Sequence, residues 1–475
     1  MKPIRFGTDG WRGVIAEEFT EANVAVVTQA IADTLRAEPA KGPVVVGHDT
    51  RFGSDRFAAL AAEVLAGNGF QVLFSAPPVP TPVVAYGVFA LHAAAGVVVT
   101  ASHNPFWFNG LKLKASFGGS APAELTAKVE SAIGKTPPRR LAREEAGQSG
   151  LIQATDLLPL YIDAIRALLD QTAVPPRPLR FVYDPLYGAG DGLFARLCPQ
   201  HWGRVETIHD RPDPLFGGLH PEPIPPYLDD LVREVKGRNA DAGLATDGDG
   251  DRLGAVTPTG TVLSPHQLFP LLLHHLYRNR GWRGEVVKGF AMGVQVDRLA
   301  QRLGCPLTVT PVGFKYIAQL MLSRDILIGG EESGGFGIKG HLPERDGLLA
   351  ALLLSELIVV EGKGLDQLLS DLESEVGRFV YRRQDTELHP EDGRRLLHEL
   401  ERRPPERLGG HPVVKLEDLD GRKYWLGNGA WCMIRPSGTE PVLRVYVEAP
   451  SEAEVETIHA DTRRLVHALL NIQQC

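Results

Sequence analysis

Three aspartates that alternate with two glycines are the residues whose spacing most clearly predicts shared chemistry. They form the string Asp247-Gly248-Asp249-Gly250-Asp251, which Arg252 follows directly. Glycine lets the backbone curl, so the three carboxylates can converge on one point. Oxygen ligands at this density suit a hard divalent cation, Mg²⁺ or Ca²⁺. An EF-hand loop is excluded because Arg252 and Pro258 stand where that loop needs Gly and Glu. The alternative is an exposed acidic turn.

A serine follows a second short apolar run, in the string Thr100-Ala101-Ser102-His103-Asn104-Pro105. Ser102 could act as a nucleophile or carry a phosphoryl group. The serine-hydrolase motif G-x-S-x-G does not fit, because Thr100 and Asn104 occupy its two glycine positions. A turn serine beside a hydrogen-bonded histidine is the alternative interpretation.

Two more polar loops combine groups that bind anions or hydroxyls. The string Arg435-Pro436-Ser437-Gly438-Thr439-Glu440, with Arg444 downstream, can offer backbone N–H groups, hydroxyls and guanidinium groups to a phosphate. Residues 330–335 read Gly-Glu-Glu-Ser-Gly-Gly and present Glu331 and Ser333, which suit sugar hydroxyls. Each loop could instead be a plain surface turn.

Short apolar runs precede most of these loops and predict the elements that position them. Continuous runs of this kind are typical of strands buried on both faces. We expect each loop to lead into a helix, which predicts α/β units with a parallel or mixed sheet. Ligands of such sheets bind beyond the carboxyl ends of the strands, where these loops fall. The predicted strands are residues 43–47, 96–100, 180–183, 241–246, 285–287 and 325–328.

The 475 residues are enough for about three domains, and a smaller fourth is compatible with the length. Changes in composition place domain boundaries near residues 150, 255 and 375.

Residues 351–360 predict a buried helix with Glu356 at its exposed edge. Residues 451–470 predict an amphipathic closing helix with glutamates in its first turns, which suits the helix dipole.

The net charge of −8 argues against nucleic acid or an anionic membrane as the main partner. Residues 71–111 contain no Asp, Glu, Lys or Arg, but prolines and polar residues interrupt this stretch, so we expect no membrane span.

The four cysteines are far apart and the N-terminus has no signal-peptide pattern, which predicts reduced thiols and a cytoplasmic location. No coiled-coil pattern indicates the oligomeric state.

Taken together, the motifs resemble the α-D-phosphohexomutase family. The resemblance runs from Gly7-Thr-Asp-Gly-Trp-Arg-Gly13 to the Arg435 loop and so covers nearly the whole chain. It implies an α/β protein with four domains around a central cleft. Three are similar mixed-sheet α/β domains, and the fourth is a smaller C-terminal α+β domain. The expected bounds are 1–150, with the phosphoserine loop; 151–254, with the metal loop; 255–375, with the sugar loop; and 376–475, with the phosphate loop.

The resemblance also implies a role for each matching residue. Ser102 matches the phosphoserine, and His103 and Lys112 look like the groups that assist proton movement. Asp247, Asp249 and Asp251 match three Mg²⁺ ligands, with the Ser102 phosphate as the fourth. Arg12 looks like a residue that steadies the phosphoserine. The implied substrate contacts are Arg252, Gly313, Lys315, Glu331, Ser333, Arg345, Arg435, Ser437, Gly438, Thr439 and Arg444.

The implied reaction converts a hexose 1-phosphate to its 6-phosphate and back, with no further macromolecular partner. Gly335 stands where other branches of the family carry His, and Phe314-Lys315 after Gly313 looks glucose-like. We therefore expect glucose phosphate, with glucose 1,6-bisphosphate as intermediate and activator, and mannose phosphate as the alternative. A Mg²⁺-dependent sugar phosphatase and a non-catalytic sugar-phosphate binding protein are the rival functions.

Overall fold

The computed structural model describes residues 4–7, 9–38, 40–437 and 441–470. The chain divides into two compact units. The first takes in residues 1–287 and 313–370, and the second takes in 288–312 and 371–475. In the described part of the chain, no helix is both long enough and apolar enough to cross a bilayer.

The first sheet has six strands and is mixed. Its strands are β1 (Trp11–Val14), β2 (Val44–His48), β3 (Val72–Phe74), β4 (Ala95–Val99), β5 (Phe108–Ala115) and β6 (Ile152–Ala154). They lie in the order β1-β5-β4-β2-β3-β6. β2 runs parallel to both β3 and β4, whereas β5 is antiparallel to β4 and β1. The helices of this region are α1 (Glu21–Ala37), α2 (Ser54–Gly67), α3 (Thr81–Ala90), α4 (Ala123–Ala132), α5 (Arg143–Gln148) and α6 (Leu158–Leu168).

The second sheet is also mixed. It contains β7 (Leu179–Asp184), β8 (Gly203–Thr207), β9 (Ala242–Thr246), β10 (Leu253–Val256) and β11 (Val262–Leu263), in the order β11-β10-β9-β7-β8. β7 is parallel to β8 and β9, and β9 and β10 form an antiparallel hairpin. Helices α7 (Leu193–Leu197) and α8 (Asp229–Arg238) belong to this region.

The third sheet has four strands in the order β13-β12-β14-β15. The strands are β12 (Glu285–Gly289), β13 (Leu307–Thr310), β14 (Ile326–Gly330) and β15 (Phe336–Ile338), of which β14 and β15 are antiparallel. Its helices are α9 (Pro265–His274), α10 (Val294–Leu303), α11 (Phe314–Ser323) and α12 (Gly347–Glu361). A capping box of Ser264 and Gln267 starts α9, and the Asp346 carboxylate accepts from Leu349 N–H at the start of α12.

The fourth sheet is antiparallel throughout. It contains β16 (Val380–Glu387), β17 (Arg407–Leu408), β18 (His411–Glu417), β19 (Arg422–Leu426), β20 (Trp431–Pro436) and β21 (Val442–Ala449), in the order β16-β21-β20-β19-β18-β17. The remaining helices are α13 (Leu365–Val376), α14 (Pro390–Arg402) and α15 (Glu452–Leu470). The sheet and the last helix share one apolar core, so this part is α+β as expected.

The six predicted strands are present as β2, β4, β7, β9, β12 and β14. The expectation that each loop leads into a helix is wrong for three of them. The loops after β4, β9 and β14 instead enter antiparallel strands, because a second apolar run follows each loop and pairs back. The first and second sheets also extend past the predicted bounds at 150 and 254, since β6 and β11 complete their edges.

The expected position of Glu356 is wrong as well. α12 is apolar on all sides, and Glu356 is fully buried within it. Its carboxylate accepts from Arg280 Nη1 at 2.7 Å and from Asp170 N–H at 2.7 Å, and it lies 2.9 Å from His275 Nε2. A buried carboxylate requires such partners, and they come from distant parts of the sequence.

Candidate active site

Ser102 lies in a tight turn at the carboxyl end of β4. Its backbone is left-handed, with φ of +53°, which is uncommon outside glycine. The Ser102 N–H donates to Thr100 Oγ1 at 2.9 Å, and the residue is almost fully buried. We call residues 102–108, which connect this turn to β5, the serine loop. A strained backbone at a nucleophile-type side chain is a feature of functional sites.

The three aspartates form the loop of the β9–β10 hairpin, and we call Asp247, Asp249 and Asp251 the aspartate triad. Gly250 has φ of +75°, which allows the tight turn between them. The Ser102 hydroxyl donates to Asp247 Oδ2 at 2.8 Å. The other oxygen of Asp247 accepts from the N–H groups of Asp251 and Arg252 at 2.9 and 3.1 Å. The serine loop and the triad therefore meet directly.

The aspartate triad fits a divalent cation. All three side chains are fully buried, and one carboxylate oxygen from each lies within 4.8 Å of the other two. Asp249 Oδ1 and Asp251 Oδ1 are buried without any hydrogen-bond partner. Buried oxygen atoms of this kind need a partner, and a hard cation prefers carboxylate oxygens. Among the described residues, this is the only acidic cluster with such geometry.

Lys112 supplies positive charge inside the site. Its Nζ lies 2.8 Å from carboxylate oxygens of Asp9, Asp249 and Asp251. Burial lowers the pKa of Lys112, but these carboxylates outweigh burial and raise it overall. Burial, together with Asp251 and Asp249, raises the pKa of Asp247 well above its usual range. The charges of the site are thus strongly interdependent.

The sugar loop predicted from sequence joins β14 to β15. Gly313 N–H donates to Glu331 Oε1 at 2.9 Å, and Arg345 Nη1 lies 3.7 Å from Glu331 Oε2. Burial raises the pKa of Glu331 to about 7, with Arg345 acting in the opposite direction. Arg345 also contacts Asp251 at 2.8 Å. The structure therefore brings Glu331, Gly313 and Arg345 to the triad.

The other predicted residues of this unit lie nearby. Arg12 Nη1 donates to Asn104 Oδ1 of the serine loop at 2.6 Å. Arg252 Nε lies 3.9 Å from both Asp247 and Asp251. His103 Nδ1 lies 3.5 Å from Ser102 Oγ. Burial lowers the pKa of the His103 imidazole well below its usual range, and the positive charge of Arg252 lowers it further. Lys315 lines a small cavity that Asp9 also lines, and Ser333 is partly buried in the sugar loop.

The predicted phosphate-binding arginines belong to the second unit. Arg435 on β20 and Arg444 on β21 are directly opposite each other as a cross-strand pair. Like charges in such a pair repel. Asp420 accepts from Arg435 Nε at 2.8 Å, and Asp385 lies 3.7 Å from Arg444. An anion on this face of the sheet would relieve the repulsion further.

The remaining residues of that loop are only partly described. Ser437 N–H donates to Val442 O at 2.8 Å, which closes the turn between β20 and β21. Gly438 and Thr439 lie outside the described residues.

Sequence reasoning missed several buried charged residues of the site. Asp9 lies in the Gly7–Gly13 motif, in which the family resemblance implies a role for Arg12 alone. Lys114 and Glu344 form a buried pair at 2.6 Å, and Ser120 donates to Glu344. Arg51 lies under the serine loop and donates to its carbonyl groups. Arg51 follows a predicted strand in a polar loop, which was the one available signal.

The family comparisons cover most of the chain. Residues 3–140 match the phosphoglucomutase/phosphomannomutase α/β/α domain I, residues 159–260 match domain II, and residues 264–376 match domain III. Residues 391–465 match the C-terminal domain of the same family.

Individual relatives match over almost their full length. The chain is 32% identical to a protein from Methanothermobacter thermautotrophicus named probable phosphoglucosamine mutase, covering 97% of each. It is 30% identical to a phosphoglucomutase/phosphomannomutase of Thermococcus kodakarensis, over 94% of this chain and 95% of the relative. A solved structure of a candidate phosphomannomutase from Thermus thermophilus is 38% identical, with a TM-score of 0.86, over 98% of this chain and 99% of that one. The chain therefore belongs to the α-D-phosphohexomutase family, and it is an isomerase of the intramolecular phosphotransferase type.

Proposed function

We propose that this phosphohexomutase is a phosphoglucomutase, which interconverts α-D-glucose 1-phosphate and glucose 6-phosphate through a phosphorylated Ser102. The observation that carries the proposal is the hydrogen bond from the Ser102 hydroxyl to Asp247, at 2.8 Å, inside a buried acidic triad. This arrangement combines an acceptor for a phosphoryl group with ligands for a cation. Glucose 1,6-bisphosphate is the intermediate and the activator.

In this proposal the aspartate triad and the Ser102 phosphate hold Mg²⁺. Bound there, Mg²⁺ neutralises charge that develops on the transferred phosphoryl group. A phosphoserine carries a charge of about −1.5 to −2 at pH 7 and repels a sugar phosphate. Lys112, Arg252 and Arg12 provide fixed positive charge around the serine loop, and this charge offsets the repulsion.

The reaction consists of two phosphoryl transfers. In the first, the free hydroxyl oxygen of the hexose monophosphate forms a bond to phosphorus, and the bond from phosphorus to Ser102 Oγ breaks. The sugar is then a bisphosphate. After it reorients, Ser102 Oγ forms a bond to the other phosphorus atom and the sugar oxygen leaves. Both phosphoryl groups are conserved, so no net hydrolysis occurs.

In each transfer one proton must leave the attacking hydroxyl, and the departing oxygen must take one up to become a hydroxyl. His103 is the better placed of the two predicted groups, since its Nδ1 lies 3.5 Å from Ser102 Oγ. Lys112 Nζ instead contacts Asp9, Asp249 and Asp251. We therefore assign proton transfer to His103 and charge stabilisation to Lys112.

The substrate's other phosphate is assigned to the loop of the fourth domain. Arg435 and Arg444 supply two guanidinium groups on one sheet face. Ser437, Gly438 and Thr439 supply hydroxyls and backbone N–H groups. Guanidinium groups bind phosphate through paired, charge-assisted hydrogen bonds.

Glucose is the proposed sugar because of Gly335. A β-carbon at this position would overlap the Arg345 side chain, so the His of the other branches would fit only if Arg345 moved. Glu331 and Ser333 then contact sugar hydroxyls. Mannose phosphate is the alternative. Glucosamine phosphate is a further candidate because the Methanothermobacter relative is named a phosphoglucosamine mutase.

A three-substrate assay tests the choice of sugar. Glucose 1-phosphate, mannose 1-phosphate and glucosamine 1-phosphate are each supplied with Mg²⁺ and a trace of the matching 1,6-bisphosphate, and the 6-phosphate is quantified. We expect kcat/KM to be highest for glucose 1-phosphate by at least about tenfold, the scale of a lost or gained sugar contact. Equal values for glucose and mannose would indicate a dual-specificity enzyme. A preference for glucosamine would refute the interpretation of Gly335.

Two variants test the chemistry. Ser102→Ala should abolish turnover while the melting temperature stays close to that of the wild type. Asp249→Asn should weaken activation by Mg²⁺, whereas Asp163→Asn, which removes the same charge from an exposed helix position, should not. Release of inorganic phosphate from the sugar without isomer formation would instead identify a phosphatase.

A further inference from the structure

Arg51 is a buried arginine that the proposed chemistry does not use. It lies in the loop after β2, and β2 is the parallel neighbour of β4 in the first sheet. The loops that follow these two strands therefore lie side by side at one edge of the sheet. Arg51 is 2% exposed, and its side chain lies against the serine loop.

Both Nη nitrogens of Arg51 donate to main-chain carbonyls. Its Nη1 donates to the carbonyl oxygens of Pro105 and Phe108, at 2.8 and 3.1 Å. Its Nη2 donates to the carbonyl oxygens of Ser102 and Asn104. Its Nε is 3.1 Å from Asp49 Oδ2. A guanidinium group has five N–H donors; here the four on Nη1 and Nη2 donate to main-chain carbonyls, and the fifth, on Nε, is buried beside Asp49 without a hydrogen bond.

This pattern leaves no Nη donor of Arg51 for a substrate, and Nε is buried against Asp49. Its four hydrogen-bond acceptors are all main-chain carbonyls of the serine loop, so the side chain acts on the backbone that carries Ser102. The left-handed conformation of Ser102 costs free energy, and buried carbonyl groups of an irregular loop need donors. Arg51 supplies donors to the four carbonyl groups. Because its guanidinium group is planar and rigid, it also fixes where these groups can lie, which stabilises the backbone conformation of Ser102.

Neighbouring groups hold Arg51 itself in place. Asp49 Oδ1 accepts from the N–H of Arg51 and from the hydroxyl of Ser54, at 3.0 and 2.7 Å. The ring of Phe216 covers the guanidinium group at 4.8 Å. A cation against an aromatic face in a buried position is stabilised and shielded from water. Arg51 is thus a rigid support.

We propose that Arg51 is a positioning residue, which holds the serine loop so that the Ser102 hydroxyl is presented for phosphoryl transfer. This inference rests on the proposed role of Ser102 as the phosphoryl carrier. Lysine cannot replace arginine at this position. It has three donors on a single nitrogen and no planar fork, so it cannot reach four separated carbonyl groups.

The test compares Arg51→Lys with the wild type and with Arg280→Lys. Arg280 is a matched control because, like Arg51, it forms an ion pair with a buried carboxylate (Glu356) and donates to a main-chain carbonyl (Leu168), but it does not contact the serine loop. Turnover of glucose 1-phosphate is measured with Mg²⁺ and glucose 1,6-bisphosphate. The rate at which the bisphosphate phosphorylates Ser102 is followed by intact mass and by mass spectrometry of the peptide.

For Arg51→Lys we expect kcat and the rate of Ser102 phosphorylation to fall about 100-fold, the scale of a misplacement of about 1 Å. KM for glucose 1-phosphate should stay within about threefold, because Arg51 does not contact the sugar. Arg280→Lys should lower the melting temperature but leave kcat within about twofold. A wild-type kcat in Arg51→Lys, or an equal loss of kcat in both variants, would overturn the inference.

Asp49→Asn provides the same test if Arg51→Lys does not fold. It keeps an oxygen for the N–H of Arg51 and for Ser54 but places an amide donor against Arg51 Nε. We expect the same fall in kcat with unchanged KM, and an unchanged kcat would overturn the inference. Wild-type turnover without phosphate on Ser102 would instead refute the proposed function, and the inference with it.

Discussion

Arg345 occupies the space that a side chain on Gly335 would need. A β-carbon there would lie 2.8 Å from Arg345 Cγ and closer still to Cδ. The same guanidinium group contacts Asp251 at 2.8 Å and Glu331 at 3.7 Å. Gly335 therefore leaves the space in which Arg345 links the aspartate triad to Glu331.

Substitution of Gly335 should disrupt this connection. We expect Gly335→Ala to lower kcat/KM for glucose 1-phosphate by about 100-fold, because Arg345 must move away from Asp251 and Glu331. Gly147→Ala is the control, since a β-carbon at Gly147 meets nothing within 4 Å. Steady-state kinetics of both variants provide the measurement. Wild-type kcat/KM in Gly335→Ala would show that Arg345 can shift without consequence.

Gly248 should be intolerant of a side chain for a related reason. A β-carbon on Gly248 would lie 2.8 Å from the carbonyl oxygen of Ser102, which Arg51 already contacts. We expect Gly248→Ala to displace the Ser102 turn and to lower kcat about 100-fold. Gly237→Ala, in α8, has open space and should stabilise the helix by up to about 1 kcal/mol. Equal kcat in the two variants would contradict this prediction.

Glu331 should make stability depend on pH. Burial raises the pKa of this carboxyl to about 7, above the value of 4.5 for an unperturbed glutamate. Between these two values the folded state binds the proton more tightly than the unfolded state, so this group's contribution to stability is lost as pH rises. Glutamine does not titrate. The free energy of unfolding of Glu331→Gln, relative to the wild type, should therefore increase from pH 5 to pH 8 by up to about 3 kcal/mol.

Denaturant unfolding without added metal, at four pH values across this range, measures the difference. Titrating groups that do not interact with Glu331 are common to both proteins and cancel. Parallel stability profiles would mean that Glu331 titrates normally in the folded protein.

Lys112 should be essential for stability as well as for catalysis. Its loss leaves Asp9, Asp249 and Asp251 without their shared cation at 2.8 Å. Removal of one partner from a buried ion cluster typically costs about 3–5 kcal/mol, and we expect this loss for Lys112→Met. Millimolar Mg²⁺ should recover part of it, because a cation bound at the triad compensates the same carboxylates.

Thermal unfolding of Lys112→Met with and without Mg²⁺ measures both effects. Lys128→Met removes an exposed pair with Glu38 and should cost no more than about 1 kcal/mol. Stability of Lys112→Met that does not respond to Mg²⁺ would argue against a cation site at the triad.

Short sequence motifs were enough to identify Ser102 and the aspartate triad as candidate site residues. Ser102 and the aspartate triad follow apolar runs that form β4 and β9. These strands belong to different sheets, so the 2.8 Å contact between Ser102 and Asp247 was implied by the family resemblance and not by the α/β pattern. Glycines at positions 248 and 250 indicated a tight turn, and Gly250 has the required positive φ. A short sequence pattern of this kind is enough to predict a local turn.

Contacts between distant segments were not predictable in the same way. β3 separates β2 from β4 in the sequence, yet β2 and β4 are neighbours in the sheet, and only this order brings Arg51 to Ser102. Glu356 was expected at an exposed edge because a single charge in an apolar helix usually faces water. Its partners His275 and Arg280 lie 81 and 76 residues away, so no local pattern indicates that the carboxylate is buried.

The fork of Arg51 also sets a limit on loop length. Its four carbonyl acceptors fall within seven consecutive residues, 102–108. The positions of these main-chain oxygens must therefore match the fixed positions of the N–H groups on the rigid guanidinium group. Trp107, in the same segment, is 45% exposed, and its side chain takes no part in that fork. Grafts of this segment from other chains can therefore differ in side chains at such positions. A graft that is one residue longer or shorter would misalign the oxygens and leave donors of Arg51 unsatisfied.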